Sequence, residues 1–291
     1  MSHDVSKPRE GSPAEQALAS LFDFGFRALD DPDGDRRWST WAAVERGCRG
    51  PEPRPPWVVT EQAAVDTELG IIKTGKEADV FLVERAVPGD DDRVSLLPAK
   101  RYRGEEHRSF HRSAAYVEGR RTRRSRDARA MAKGTTHGRA VAAGQWAQAE
   151  FGALSMLWSA GLPVPYPVQI DGTELLMEFV EVGGLPAPRL ARSRPRAAEL
   201  VEYFEQLRDA MGVLARMGFA HGDLSPYNIL VRGDELVLID LPQVVDIVGN
   251  PQGTEFLMRD CHNVCTWFAA RGLDADEHEL FGELMDEAFG G

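Results

Sequence analysis

Cysteine is scarce in this chain: Cys48, Cys261 and Cys265 are the only three among 291 residues. The number is odd, and Met1 to Asp4 do not begin the basic and then apolar pattern of a signal peptide, so a disulfide framework is not expected. Cys261 and Cys265 fall on one apolar helical stripe. We therefore expect them to pack in the core rather than to bind zinc.

Long hydrophobic runs are also missing. No stretch of eighteen apolar residues occurs, although 43% of the residues are hydrophobic. Such a composition can bury a substantial core but provides no segment that spans a bilayer as a helix. We expect a cytoplasmic protein with no membrane partner.

Positive charge is in deficit overall but concentrated in one segment. The net charge is −12, yet residues 101–139 hold twelve Lys or Arg against four Asp or Glu, a local charge of +8. Such a segment could bind RNA or an acidic partner through phosphate or carboxylate groups. Few aromatic residues are interleaved with the basic ones, which favours a solvated loop, and partner binding is the secondary interpretation.

A phosphoryl-transfer motif dominates the second half of the chain. Asp223 is followed five residues later by Asn228, and Asp240 follows beyond a predicted hairpin. An acid at the first position can receive the proton of an attacking hydroxyl, while Asn228 and Asp240 offer the hard oxygen ligands that Mg²⁺ prefers. The spacing therefore predicts a nucleotide-dependent phosphotransferase.

Three strands are predicted ahead of this motif, at residues 69–72, 78–83 and 96–102, in an antiparallel lobe. The sequence from Gly70 to Glu77 nearly matches a Walker phosphate loop. Glu77 stands where that loop needs a hydroxyl, and a strand rather than a helix follows, so we reject a Walker site. A strand-turn-strand clamp fits better, with Lys76 over the phosphates.

Helical periodicity covers residues 141–160, 197–217 and two later segments, and Gly233-Asp234 predicts a hairpin that brings Asn228 close to Asp240. Lys100 lies on the third predicted strand and Glu150 on the first of these helices. Their order relative to Asp223 and Asp240 is that of a lysine that holds nucleotide phosphates and its ion-pair partner.

The chain resembles the RIO family of atypical protein kinases, in the subfamily without an N-terminal winged helix. The matching stretches include Thr74 to Phe81, Ala99-Lys100, Trp146 to Phe151, Pro186-Ala187-Pro188, His221 to Leu230 and Glu255 to Val264. The resemblance implies an α+β, two-lobed kinase-like fold with a reduced C-terminal lobe. Residues 65–291 would form this domain, with an N-lobe to about residue 180 that includes a flexible loop at 104–138. Residues 1–64 would form an extension, partly disordered, with a short helix at 14–29.

The resemblance also implies roles for individual residues. Asp223 would be the catalytic base, and Asp240 would be a metal ligand with Asn228. The resemblance offers Asp240 a second role as the acceptor of phosphate during ATP hydrolysis. Lys100 and Glu150 would anchor the phosphates. The turn at Thr74, Gly75 and Lys76 would cover the nucleotide, and the backbone from Glu178 to Val180 would face adenine.

ATP and Mg²⁺, with Mn²⁺ able to replace it, are the expected cofactors of a Ser/Thr protein kinase that phosphorylates itself. An ATPase switch that acts on a ribosomal or other RNA-containing partner is a related possibility. Two other classes stay open: a small-molecule kinase resembling aminoglycoside phosphotransferases, which share the motif around Asp223, and a non-catalytic nucleotide-binding scaffold.

Overall fold

The computed structural model describes residues 27–28, 36–103, 136–241 and 244–290. The first half of these residues forms a seven-stranded antiparallel sheet in which six strands follow the order β1-β3-β4-β5-β7-β6 along one path, with β2 also paired to β3. The strands are β1 (Arg27–Ala28), β2 (Arg36–Trp38), β3 (Val65–Thr74), β4 (Ala78–Val87), β5 (Asp90–Tyr102), β6 (Pro167–Asp171) and β7 (Glu174–Met177). The three strands predicted before the motif are confirmed as the adjacent strands β3, β4 and β5.

One face of the sheet is covered by α1 (Thr136–Ser159). Phe151, Leu154 and Leu157 of this helix share a buried core with Ile170 and Leu175 of β6 and β7. The helix begins five residues before the predicted start at residue 141. The predicted basic loop at residues 104–138 lies outside the described residues, apart from the first three residues of α1.

Residues 36–64 contribute to a second core that also contains strand residues of this sheet. Trp41 and Val58 pack there with Val83, Leu97 and Tyr166. The sequence predicts an extension at residues 1–64 and a domain at residues 65–291. This boundary concerns which segments fold independently, and it stays a prediction. The predicted helix at 14–29 lies outside the described residues except for its last part, where Arg27–Ala28 form β1.

A buried ion pair lies between β3 and β4. Arg85 Nε donates to Asp66 Oδ1 at 2.6 Å, Arg85 Nη2 donates to Asp66 Oδ2 at 2.9 Å, and both side chains are almost completely buried. Arg85 Nη1 also donates to Gln169 Oε1 of β6 at 2.8 Å. The buried guanidinium therefore ties strands that are distant in sequence.

The second half is mainly helical, with α2 (Ala197–Arg216), α3 (Gly253–Ala269) and α4 (Glu277–Phe289). Short antiparallel pairs connect them: β8 (Glu181–Val182) with β9 (Leu185–Pro186), β10 (Phe219–Ala220) with β13 (Val245–Asp246), and β11 (Ile229–Arg232) with β12 (Glu235–Leu238). The apolar stripes of the three helices meet in one core. Cys261 and Cys265 are buried in it, as predicted.

The architecture is α+β, with a sheet-rich lobe and a small helical lobe, as the sequence predicts. None of the helices in the described part of the chain combines the length and the apolar composition needed to cross a bilayer.

Candidate active site

A cleft of about 670 Å³ lies between the two lobes. Its walls include the β3–β4 turn, β5, α1, the connection after β7, residues 186–192 and the end of β12. Residues from these places include Gly75, Lys76, Lys100, Glu150, Glu178, Val180 and Asp240. The fold therefore gathers into one cavity residues that are up to 165 positions apart in the sequence.

The β3–β4 turn forms the edge of the cleft on the sheet side. Gly75 N donates to Ala78 O at 3.0 Å, and a Cβ at position 75 would lie only 2.8 Å from that same oxygen. Glycine is therefore required by the close approach of the two backbones. Gly75 and Lys76 line the cleft, whereas Thr74 is the exposed last residue of β3 and is not among the lining residues of the described chain.

Lys100 joins the two lobes through two carboxylates. Its Nζ lies 2.7 Å from Glu150 Oε1 on α1 and 3.2 Å from Asp240 Oδ1 after β12. Tyr102, on the same face of β5 because side chains alternate along a strand, donates its hydroxyl to Glu150 Oε2. Both oxygens of Glu150 are thus held by β5.

The charges of this cluster depend on one another. Burial tends to lower the pKa of Lys100, but the Glu150 and Asp240 carboxylates outweigh it and raise that pKa above its usual value. The Lys100 ammonium lowers the pKa of Asp240 against the effect of burial. Burial raises the pKa of Glu150, and Lys100 opposes this shift only in part. Asp240 is therefore the carboxylate that stays ionised to lower pH.

The connection after β7 is held by the side chain of Glu178. Its Oε2 accepts from Tyr166 N at 3.0 Å, and its Oε1 accepts from Arg232 Nη1 at 2.9 Å. The backbone Glu178 N donates to Tyr166 O at 2.8 Å, and Val180 O accepts from Ala187 N at 3.0 Å. The Glu178 carboxylate thus fixes the backbone that lines the cleft.

The loop between β10 and β11 carries Asp223 and Asn228. Asn228 Nδ2 donates to Asp223 O at 2.9 Å, which closes the loop on itself. His221 Nδ1 accepts from Asp223 N at 3.4 Å, so its Nε2 carries the proton and donates to Ile239 O at 3.2 Å. The Asp223 side chain is exposed, whereas His221 is buried beneath it.

Side chains of α3 form hydrogen bonds with the backbone of this loop. The buried Asp260 carboxylate accepts from Gly222 N at 2.7 Å and from Leu224 N at 2.8 Å. Asn263 Nδ2 donates to Leu224 O at 2.9 Å, and Arg259 donates to Gly222 O. These bonds to both sides of Asp223 fix its backbone. Burial raises the pKa of Asp260, with His221 and the two N–H groups opposing the shift.

Asp240 follows β12 in an uncommon backbone conformation. Its φ is 63°, and no other non-glycine residue of the described chain has a positive φ. This left-handed conformation costs about 1–2 kcal/mol for an L-residue. Ile239 N donates to Asn228 O at 2.9 Å, so the hairpin brings Asn228 and Asp240 next to each other, as predicted.

The structure thus brings Lys100, Glu150 and Asp240 into direct contact and joins Asp223 to Asn228, while Thr74 stands apart. The sequence assigned no role to Tyr102 or Asp260. The alternation of side chains along β5 places Tyr102 on the face of Lys100, and this was the one indication of its role in the sequence. Asp260 lies in the stretch from Glu255 to Val264 that carries the family resemblance, but no role was assigned to it. Their contacts with Glu150 and the Asp223 loop are tertiary.

Comparisons with known proteins indicate the family of this chain. A family model described as the RIO domain matches residues 105–280. The RIO-type serine/threonine-protein kinase Rio1 of Haloferax volcanii is 37% identical over 223 residues, which are 77% of this chain and 70% of that protein. Rio1 of Methanocaldococcus jannaschii is 32% identical over 73% of this chain and 67% of its own length.

A human relative, serine/threonine-protein kinase RIO3, is 34% identical over 48% of this chain and 27% of its own length. The family match covers more than half of the chain, and the archaeal relatives align over both lobes. Membership implies ATP and a divalent metal as cofactors. The chain belongs to the RIO family and is a RIO-type serine/threonine-protein kinase.

Proposed function

We propose that the protein uses the cleft between its lobes to transfer the γ-phosphoryl group of ATP, as its Mg²⁺ complex, to serine or threonine hydroxyls. The observation that carries this proposal is the convergence of Lys100, Glu150 and Asp240 beside the Asp223 loop. One cation and two carboxylates from three separate elements meet there, as a site that binds polyphosphate and metal requires.

The residues present suit a hard divalent cation. Mg²⁺ takes oxygen ligands, and the carboxylate of Asp240 and the amide oxygen of Asn228 are of this kind. Because Asn228 Nδ2 donates to Asp223 O, the opposite side of the amide presents Oδ1. When bound, the ion would neutralise charge that develops on the phosphates. We propose Mg²⁺ as the usual metal, with Mn²⁺ able to replace it.

The remaining roles follow from placement. Lys100, oriented by Glu150, would hold the α- and β-phosphates, and the turn that begins at Thr74 would close over them through Gly75 and Lys76. The hydrogen bonds of the described residues leave Glu178 O and Val180 N without a protein partner, which supports their pairing with adenine. Asp223 would accept the proton of the attacking hydroxyl.

We propose a protein substrate, with autophosphorylation as the simplest case and an ATPase switch as a second use of the same site. Binding of a ribosomal or other RNA-containing partner through residues 101–139 stays a prediction, because most of that segment lies outside the described residues. A cytoplasmic location stays a prediction as well.

The test is incubation of the full chain with γ-labelled ATP and Mg²⁺, Mn²⁺ or EDTA, with and without a general protein substrate. We expect label on serine or threonine, as identified by acid hydrolysis, and loss of labelling in EDTA. The proposal is wrong if aminoglycosides or sugars become labelled while no protein does. It is equally wrong if ATP binds with metal and is never turned over.

A further inference from the structure

The loop that carries Asp223 lacks a positive charge of its own. Residues 221–228 contain neither Lys nor Arg. Phosphoryl transfer spreads negative charge over the transferred group, and catalysis depends on cations placed to receive it. Lys100 approaches from the sheet lobe, so the helical lobe must supply any cation on the opposite side of the phosphates from another element.

Arg189 and Arg192 both line the cleft among the described residues, and Arg189 contacts the loop of Asp223. It follows the Pro186-Ala187-Pro188 segment, lines the cleft, and is locked to β11 by a backbone bridge with Leu230. The adjacent Val231 N donates to Pro188 O at 2.8 Å, which fixes the same segment one residue earlier. The backbone that delivers Arg189 is therefore rigid.

The guanidinium of Arg189 lies directly against the loop of Asp223 and Asn228. Its Nη1 donates to Tyr227 O at 2.5 Å, one residue before Asn228. A guanidinium carries five N–H donors in a rigid fork. This fork matches the bidentate geometry of phosphate oxygens better than a lysine does.

The electrostatic environment is consistent with an anionic ligand. Burial lowers the pKa of Arg189, and the Asp240 carboxylate acts in the opposite direction. A guanidinium retains its charge under such a shift. Arg189 is therefore a partly desolvated cation within the electrostatic reach of Asp240, and charge–phosphate contacts strengthen where water is partly excluded.

We propose that Arg189 is a further phosphate-contacting residue, which supplies from the Pro186–Pro188 segment the cation that the Asp223 loop lacks. The inference rests on the proposed function, because it requires the triphosphate to bind beside Lys100 and Asp240. Arg189 would face the β- and γ-phosphates from the helical lobe, while its bond to Tyr227 O keeps it in register with Asn228.

The test compares ATP with adenosine, which has no phosphate. Calorimetry on the full chain with Mg²⁺ would measure both affinities in the wild type, Arg189→Gln, Arg189→Met and Arg189→Lys. Arg189→Gln should weaken ATP about tenfold or more relative to adenosine and lower kcat about 10- to 100-fold, because a charged contact to the phosphates is lost. Arg189→Lys should recover part of both losses.

Arg216→Gln is the matched control, because Arg216 is a half-exposed, ion-paired arginine of α2 that pairs with Glu287. Arg216→Gln should change neither the ratio of ATP affinity to adenosine affinity nor kcat. A purely structural role for Arg189 would weaken ATP and adenosine in the same proportion, and that result would overturn the inference. Arg189→Met keeps the apolar stem and provides the same comparison if Arg189→Gln fails to fold.

Failure of this inference can be told apart from failure of the proposed function. If the wild type binds ATP with Mg²⁺ and transfers phosphate, and the Arg189 variants retain the wild-type ratio of ATP to adenosine affinity, only the role of Arg189 is wrong. If the wild type neither binds nor transfers, the proposed function itself is wrong.

Discussion

The Lys100 ammonium lies 3.2 Å from Asp240 Oδ1, so a lysine of the sheet lobe is in direct contact with the carboxylate that ends the β11–β12 hairpin of the helical lobe. The same ammonium is 2.7 Å from Glu150. Lys100 is thus shared between an orienting partner and a proposed metal ligand. ATP would place phosphate oxygens where these charges meet.

Replacement of Lys100 tests the phosphate-anchoring role. Lys100→Ala should lower kcat/KM for ATP about 10²-fold, because the ammonium that orients the phosphates is lost. Steady-state kinetics with γ-labelled ATP would measure the change. Arg93→Ala, on the same strand but paired with Glu61 outside the cleft, should keep the wild-type value. A loss of equal size in both variants would contradict the role.

Asp240 is expected to serve both the metal and, in an ATPase cycle, the phosphate. In that cycle an Asp240 oxygen attacks the γ-phosphorus, ADP leaves, and water later hydrolyses the acyl phosphate to release inorganic phosphate. Acid quenching during turnover should trap a hydroxylamine-labile label. Asp240→Asn should abolish both label and turnover, whereas Asp246→Asn, at the exposed end of β13, should retain them. Turnover without a trapped label would exclude the covalent cycle.

The acid limb of activity should be set by Glu150. Burial raises its pKa above the ordinary value of 4.5, and the ion pair with Lys100 requires the carboxylate. Activity should therefore fall as the pH drops through this raised value. Because the folded state binds this proton more tightly than the unfolded chain, protonation of Glu150 costs no stability in the same window. The pH dependence of kcat/KM and of the free energy of unfolding should be measured together. We expect activity to be lost at a higher pH than the folded state.

Tyr102→Phe should move the acid limb of the pH–activity profile to higher pH. The variant removes the hydroxyl that donates to Glu150 Oε2, so the carboxylate is less stabilised and its pKa rises further. The pH dependence of kcat/KM would measure the shift. Tyr203→Phe removes an α2 hydroxyl that donates to Gly233 O between β11 and β12, and it should leave the acid limb in place. An unchanged limb in Tyr102→Phe would show that Tyr102 only fills space.

Asp260 should act on catalysis through the Asp223 loop. Asp260→Ala leaves the N–H groups of Gly222 and Leu224 without their acceptor, which should lower the free energy of unfolding by about 2–4 kcal/mol. It should also lower kcat more than it raises KM for ATP, because Asp223 loses its position while the cleft persists. Asp286→Asn, exposed on α4, is the control. Wild-type kcat in folded Asp260→Ala would refute the positioning role.

The buried Arg85–Asp66 pair should matter for stability rather than chemistry. Asp66→Asn leaves a buried guanidinium without its counter-charge, which should cost about 3–5 kcal/mol of unfolding free energy. Glu61→Gln breaks the partly exposed pair with Arg93 and should cost less than about 1 kcal/mol. Urea unfolding monitored by tryptophan fluorescence would compare them. An equal loss of unfolding free energy in the two variants would show that the buried Asp66 pair contributes no more to stability than the Glu61 pair.

Much of the fold was predictable because its signals are local. The stripe of α2 repeats at helical spacing, and β3 to β5 are bounded by Gly75 and Pro88-Gly89. The start of α1 was not predictable, because residues 136–140 carry no apolar periodicity. The Pro-rich stretch at 51–56 has the composition of a linker, yet Pro51 O accepts from the hydroxyl of Tyr166. That contact spans 115 residues and leaves no local trace in the sequence.

The residues of the site also divide into those that the sequence predicts and those that only tertiary contacts reveal. Lys100, Glu150 and Asp240 could be predicted because a phosphotransferase needs these residue types in this order. Tyr102, Asp260 and Arg189 could be assigned no role, because each acts on a partner that only the folded chain brings near it. A buried carboxylate such as Asp260 resembles any helix residue until its backbone partners are known.

The most direct test is single-turnover transfer from γ-labelled ATP, with Mg²⁺, in the wild type and Asp223→Asn. We expect transfer to serine or threonine to fall about 10²-fold or more in Asp223→Asn, because the proton acceptor is lost, while ATP affinity changes less than about threefold. Asp234→Asn, in the exposed turn between β11 and β12, should transfer at the wild-type rate. Transfer in Asp223→Asn at the rate of Asp234→Asn would contradict the assignment of this cleft as the catalytic site.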